Sequence, residues 1–177
     1  MHYECIQKGD GLAISLIHLK NHLRLENNFE EPFLEQVIKV ASESIENYLG
    51  RSLLLKTWKC FAQATSGGNM MEVELCYPPL ITIVSVTEVF QEDVRKPVKR
   101  YLLRPSAERP KLSVWAGAVE IIYKCGYGEN YLAIPESLRH AITLIAGEMY
   151  EKRVDFQACL TPAIDFLLKP YRVMPCL

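Results

Sequence analysis

His18 and His22 stand four residues apart, a spacing that on a helix puts two imidazoles on one face within reach of a single metal ion. The protease version of that pattern needs a glutamate directly after the first histidine, and Leu19 occupies the position. Two positions alone read more simply as a solvated helix face. Nucleophile candidates are Ser66, Ser85 and the single cysteines, with His140 or the paired histidines as base. None lies in a nucleophile elbow, and a Ser, a His and an Asp in one chain carry no information without geometry. The glycine-rich SGGN (66–69) and CGYGEN (125–130) lack the lysine and hydroxyl of a phosphate-binding loop and the spacing of a dinucleotide fingerprint. They read as a hairpin loop and a strand exit. No catalytic residue, no metal ligand set and no cofactor is therefore expected, and a small hydrolase is the least favoured reading.

Two other groups of residues could act by binding. Arg95, Lys96, Lys99, Arg100 and Arg104 cluster around Tyr101, and such a basic strand with an aromatic could meet a phosphate backbone. Its plainer reading is an edge strand protected from aggregation by positive charge. The second group is the terminal stretch TPAIDFLLKPYRVMPCL, in which Ile164, Phe166, Leu167 and Leu168 are fenced by Pro162 and Pro170. Chain ends stay poorly ordered unless tied down, and burial of each large apolar side chain is worth roughly 1.5–3 kcal/mol. Either the protein's own core or a partner must cover them.

The composition is that of a globular chain: 177 residues, 49% hydrophobic and 23% charged, enough for one substantial core or a core with an annex. Twenty basic and 21 acidic residues give a net charge of −1, so no global field draws the protein to nucleic acid or an anionic membrane. Cys5, Cys60, Cys76, Cys125, Cys159 and Cys176 are scattered without CxxC pairs, which points to reduced, mostly buried thiols. The opening MHYECIQKGDG lacks the regions of a secretory signal. No run approaches the ~18 apolar residues of a membrane span. A protein made and kept in a cytoplasm is expected.

The elements that would position these residues follow from periodicity. SLIHLKNHLRL, from Ser15, places Leu16, Leu19 and Leu23 at helical spacing behind a capping serine. A second helix should begin near Pro32, whose missing N–H costs nothing in a first turn, and end at Gly50. Its apolar stripe is Leu34, Val37, Ile38, Ala41, Ile45, Tyr48 and Leu49. Beyond Arg51 the period becomes that of strands: TWKCFAQA from Thr57, MEVELC from Met71, IVSVTEVF from Ile83 and AVEIIYKC from Ala118. Between Pro97 and Leu112 a strand is expected around Arg100–Leu103, followed by an exposed loop. After Pro135, ESLRHAITLIAGEMYEKR puts Leu138, Ala141, Ile142, Ile145, Ala146 and Met149 on one helical face and closes on the cations Lys152 and Arg153.

These pieces make an α+β chain. A helical bundle of two N-terminal helices, one long C-terminal helix and a short terminal helix would carry an antiparallel β-sheet inserted between its second and third helices. The divisions expected are an N-terminal helical part at 1–55, the inserted β region at 56–130, the C-terminal helical part of the core at 131–160 and a docking segment at 161–177.

The ordered set LIHLKNHLRL, VIKVASESIENYLGRSLLLKTW, ELCYPPLITIVSV, VEIIYKCGYG with IPESLRHAITLIAGEMYEKR, and PAIDFLLKPYR resembles the head–tail connector (adaptor) proteins of long-tailed phages, prophages and gene transfer agents. The resemblance implies a non-enzymatic subunit that forms a ring, a dodecamer in such particles, beneath the portal. That ring extends the DNA channel without sequence-specific binding and offers a surface to a downstream neck or tail protein. It implies a place in the neck of the particle, with assembly in the host cytoplasm and no membrane. In relatives the C-terminal segment docks on the portal, which here would involve Pro162, Ile164, Phe166, Leu167, Leu168, Pro170, Tyr171 and Arg172. The alternative is a nucleic-acid-binding module using Arg95, Lys96, Lys99 and Arg100.

Overall fold

A computed structural model describes residues 1–64, 70–90, 94–153 and 160–173. The chain divides into two compact units, one built from Met1–Gly9 and Leu55–Tyr127, the other from Asp10–Leu54 and Gly128–Met174.

The first unit is all β. Its five-stranded antiparallel sheet runs β1 (His2–Gln7), β2 (Lys56–Gln63), β8 (Ala118–Cys125), β4 (Leu80–Val89), β5 (Arg95–Pro97). A second, three-stranded sheet runs β3 (Met71–Glu74), β7 (Lys111–Val114), β6 (Tyr101–Arg104). β8 shows why the segment is a strand: Val119, Ile121, Tyr123 and Cys125 are buried and alternate with less buried neighbours. Val73, Leu112 and Val114 of the smaller sheet join these side chains in one core. The Tyr123 hydroxyl, buried there, donates to the Cys76 carbonyl at 3.2 Å, which satisfies the polar end of a core aromatic.

From the sequence one inserted sheet is expected, with residues 1–55 in the helical part. Two sheets are present, and β1 pairs with β2 from His2↔Phe61 to Gln7↔Thr57. The Tyr3 hydroxyl fixes that edge by donating to the Glu74 carbonyl at 2.8 Å. β4 begins at Leu80, ahead of the expected Ile83, and its two register shifts against β8 leave Ile81 and Val84 exposed. The expected SGGN hairpin loop lies outside the described residues. Free Cys60 and Cys125 are buried, and burial raises their thiols to about 11 and about 12. Cys76 is disulfide-bonded, which corrects the expectation of uniformly reduced thiols. Cys159 and Cys176 lie outside the described residues.

The second unit is helical: α1 (Leu16–Leu23), α2 (Glu31–Leu49), α3 (Glu136–Lys152) and α4 (Pro162–Leu168), with 3-10 turns at Tyr131–Ala133 and Lys169–Tyr171. α2 carries Pro32 in its first turn and buries Leu34, Val37, Ile38, Ala41, Ile45 and Leu49. Tyr48, expected in that stripe, is only half-buried because its hydroxyl is needed elsewhere. Gly50 ends the helix at φ 65°, a left-handed position, and the Cβ of any other residue would sit 2.9 Å from the Val173 carbonyl oxygen. α3 buries Leu138, Ala141, Ile142, Ile145 and Ala146 as its period predicts, while Met149 is half-buried. Gly147 lets the His22 ring approach to 3.4 Å of where a Cβ would stand.

Candidate functional site

The terminal helix is the best-built candidate for binding. Thr161 caps it, its hydroxyl accepting from the Ile164 amide at 3.3 Å, and Pro162 enters the first turn. Ile164 and Leu168, four apart and so on one face, are both buried in the subunit. Phe166 falls on the opposite face and is 78% exposed. Leu167 and Tyr171 are half-buried, and Pro162, Pro170 and Arg172 are exposed.

Polar contacts lock this segment to α2. The Tyr48 hydroxyl donates to Asp165 Oδ1 at 2.6 Å, and the neighbouring carboxylate raises the hydroxyl's pKa. Arg51 Nε donates to the Tyr171 carbonyl at 2.5 Å. The Arg172 guanidinium lies 4.7 Å above the Tyr48 ring, and the Val173 amide bonds the Leu49 carbonyl at 2.8 Å. The eight residues expected to form one interface thus divide. Ile164 and Leu168 serve the subunit's own core, and a preformed helix presents Phe166 outward. The oily composition pointed to the segment, and the helical period within it separates its two faces.

The basic cluster is differently placed. Arg95 lies on β5 and pairs with Glu120 at 3.1 Å, while Lys96 stands 5.2 Å over the Phe90 ring. Lys99 and Arg100 are exposed and make no ion pair among the described residues. β5 is three residues long, ends in Pro97 and among the described residues bonds only β4, the form of a protected sheet edge.

The remaining candidates do not assemble into chemistry. His18 joins Ile14, Ser15, Tyr131, Arg139 and His140 around a cleft of about 650 Å³, whereas the exposed His22 lies against Gly147. Among the described residues no group of three His, Cys, Asp or Glu side chains is placed to hold a metal ion. Ser85 belongs to β4 of the first unit and His140 to α3 of the second, and Ser66 lies outside the described residues. Gly126, at φ 130°, makes the turn after β8 that CGYGEN suggested, its amide bonding the Pro79 carbonyl at 3.0 Å. No described helix is long and apolar enough to cross a membrane.

Comparison with known proteins bears on this arrangement. The phage gp6-like head-tail connector protein family matches residues 13–85, which run from just before α1 into the middle of β4. The chain is similar to a subunit in the neck of an empty gene transfer agent particle with C6 symmetry, at 25% identity and a TM-score of 0.83, over 100% of this chain and 98% of that one. It is similar, at 25% identity and a TM-score of 0.81 over the same shares, to a chain in the virion of a native gene transfer agent particle. At 24% identity and a TM-score of 0.81, it shares its fold with a chain in the neck of a native particle with C12 symmetry. No curated protein matches.

Proposed function

We propose that this chain is a head–tail connector protein, a non-enzymatic ring subunit seated beneath the portal of a phage or phage-like particle; the family match over residues 13–85 and the end-to-end fold likeness support that reading. There it prolongs the DNA channel and joins head to tail. The observation that carries this reading is the coverage: the shared fold spans 100% of this chain and 98% of the neck subunit, with a TM-score of 0.83. Neck relatives with C6 and C12 symmetry support a ring of identical copies, twelve in the full assembly. Such a ring needs side-to-side contacts in which one face of a subunit fits a different face of the next.

Within that function the terminal helix is the portal anchor. Phe166 is the side chain that inserts, flanked by Leu167, Pro162, Pro170, Tyr171 and Arg172, while Ile164 and Leu168 hold the helix in place from below. Because the helix is already folded and capped, docking proceeds without ordering a loose tail and avoids that entropic cost. DNA passes without sequence-specific contact. The nucleic-acid-module alternative is disfavoured because Arg95 is already engaged with Glu120, and Lys96 with Phe90.

Phe166→Ala with Leu167→Ala tests the anchor. Purified heads should lose the neck ring, while the melting temperature of the free variant changes little. Rings assembled on portal-bearing heads at the wild-type frequency would remove α4 from the interface.

A further inference from the structure

The β unit carries a second exposed surface, and we propose that the outer face of its three-stranded sheet docks the next protein along the neck, one that presents carboxylates around an apolar socket. The inference rests on the connector reading above and adds the partner-facing surface to it. Met71, Val73, Leu112 and Val114 turn inward to the core. The residues alternating with them form the other face, where Leu102 is 51% exposed. Met70 and Trp115, each one residue beyond the β3–β7 ladder, are 56% and 53% exposed. Single exposed apolar residues are ordinary. A tryptophan, a leucine and a methionine exposed on one short sheet form a patch of the kind that marks an interface, and Trp and Arg are the commonest anchors.

The charge on this face selects the occupant. Arg104 and Lys111 both bond Glu72, at 3.0 Å each, and Arg109 pairs with Glu74 at 3.6 Å. Lys99 and Arg100, next to β6, have no ion pair among the described residues, so cations exceed carboxylates here. The β3 carboxylates Glu72 and Glu74 are already paired with Arg104, Lys111 and Arg109, so what the face offers a partner is unpaired cations and apolar side chains. A duplex passing by would meet the cations but leave Trp115, Leu102 and Met70 uncovered, since its bases are paired and stacked. An acidic protein surface with an apolar socket satisfies both. Among the described residues β6 is the end strand of its sheet, so its outer edge can add backbone hydrogen bonds to an extended segment of that partner.

Particles assembled with Trp115→Ala plus Leu102→Asp provide the test. Heads should retain the portal-bound ring, while the next neck protein and the tail are lost from about nine in ten particles or more, the scale of losing a hot-spot residue. Tailed particles at the wild-type frequency would overturn the proposal. Heads lacking the ring would also overturn it by assigning the face to subunit or portal contacts, and so would wild-type binding to duplex DNA that the variant loses. If the double variant melts lower than wild type, Arg100→Glu carries the same comparison without touching an apolar residue. Failure of the connector reading looks different: the wild-type chain itself would be missing from particle necks.

Discussion

The Tyr48 hydroxyl donates to Asp165 Oδ1 at 2.6 Å, joining α2 to a helix that begins more than a hundred residues later in the chain. That bond makes α4 part of the helical unit instead of an appendage, and it sets the expected ranking of substitutions in the terminal segment.

Ile164→Ala removes a fully packed side chain and should cost about 2–5 kcal/mol of stability. Phe166→Ala, at a position 78% exposed, should stay within about 0.5 kcal/mol of wild type. Urea unfolding of the two variants decides the matter. Equal losses would mean that Phe166 is covered in the free subunit and that α4 presents no open face.

Gly50 supplies a second test of how the segment is held. Its φ of 65° and the 2.9 Å approach of the Val173 carbonyl leave no room for a side chain. Gly50→Ala should destabilise by more than about 1 kcal/mol, because the left-handed conformation and the clash act together. It should also accelerate amide exchange at Val173, whose N–H bonds Leu49 across the same turn. Slow exchange at Val173 in the variant would show that the chain closes on α2 without needing the glycine.

Much of this was legible in the sequence, for identifiable reasons. α2 and α3 carry long apolar stripes at helical period, with a proline before or inside the first turn, and both form where that pattern places them. β1 was missed because HYECIQ is short, and its pairing partner Cys60 is nearly sixty residues away in the chain; only the half-buried Tyr3 and Cys5 betray the alternation. The sequence suggests an exposed loop up to Leu112, where β7 in fact begins at Lys111, because Pro110 stands just ahead and only Leu112 and Val114 supply large apolar side chains to the core. In the terminal segment, apolar content could not by itself distinguish a core helix from a docking one, since Ile164 and Phe166 contribute alike to composition. The four-residue interval between Ile164 and Leu168 carries that distinction.

At the other end of the helical pair, the Glu30 carboxylate accepts from the Tyr150 hydroxyl and from Arg153 Nη2, the latter at 2.5 Å. The Arg153 guanidinium also lies 5.0 Å from the Phe33 ring and 5.3 Å from that of Tyr150. The Tyr150 hydrogen bond, and after it the Arg153 bond, hold the Glu30 carboxyl below its ordinary value of 4.5. A depressed folded-state pKa means that this clamp between α2 and α3 is fully present above pH 4.5 and is lost as pH falls through the lower, folded value. Arg153 is exposed and Glu30 and Tyr150 are only half-buried, so salt should weaken the clamp. Tyr150→Phe removes the larger cause and leaves Arg153 in place. A carboxyl titration followed by NMR should then show Glu30 moving back toward 4.5 without reaching it. An unchanged midpoint in that variant would assign the depression to Arg153 alone, making the clamp a simple surface ion pair with no part for the tyrosine.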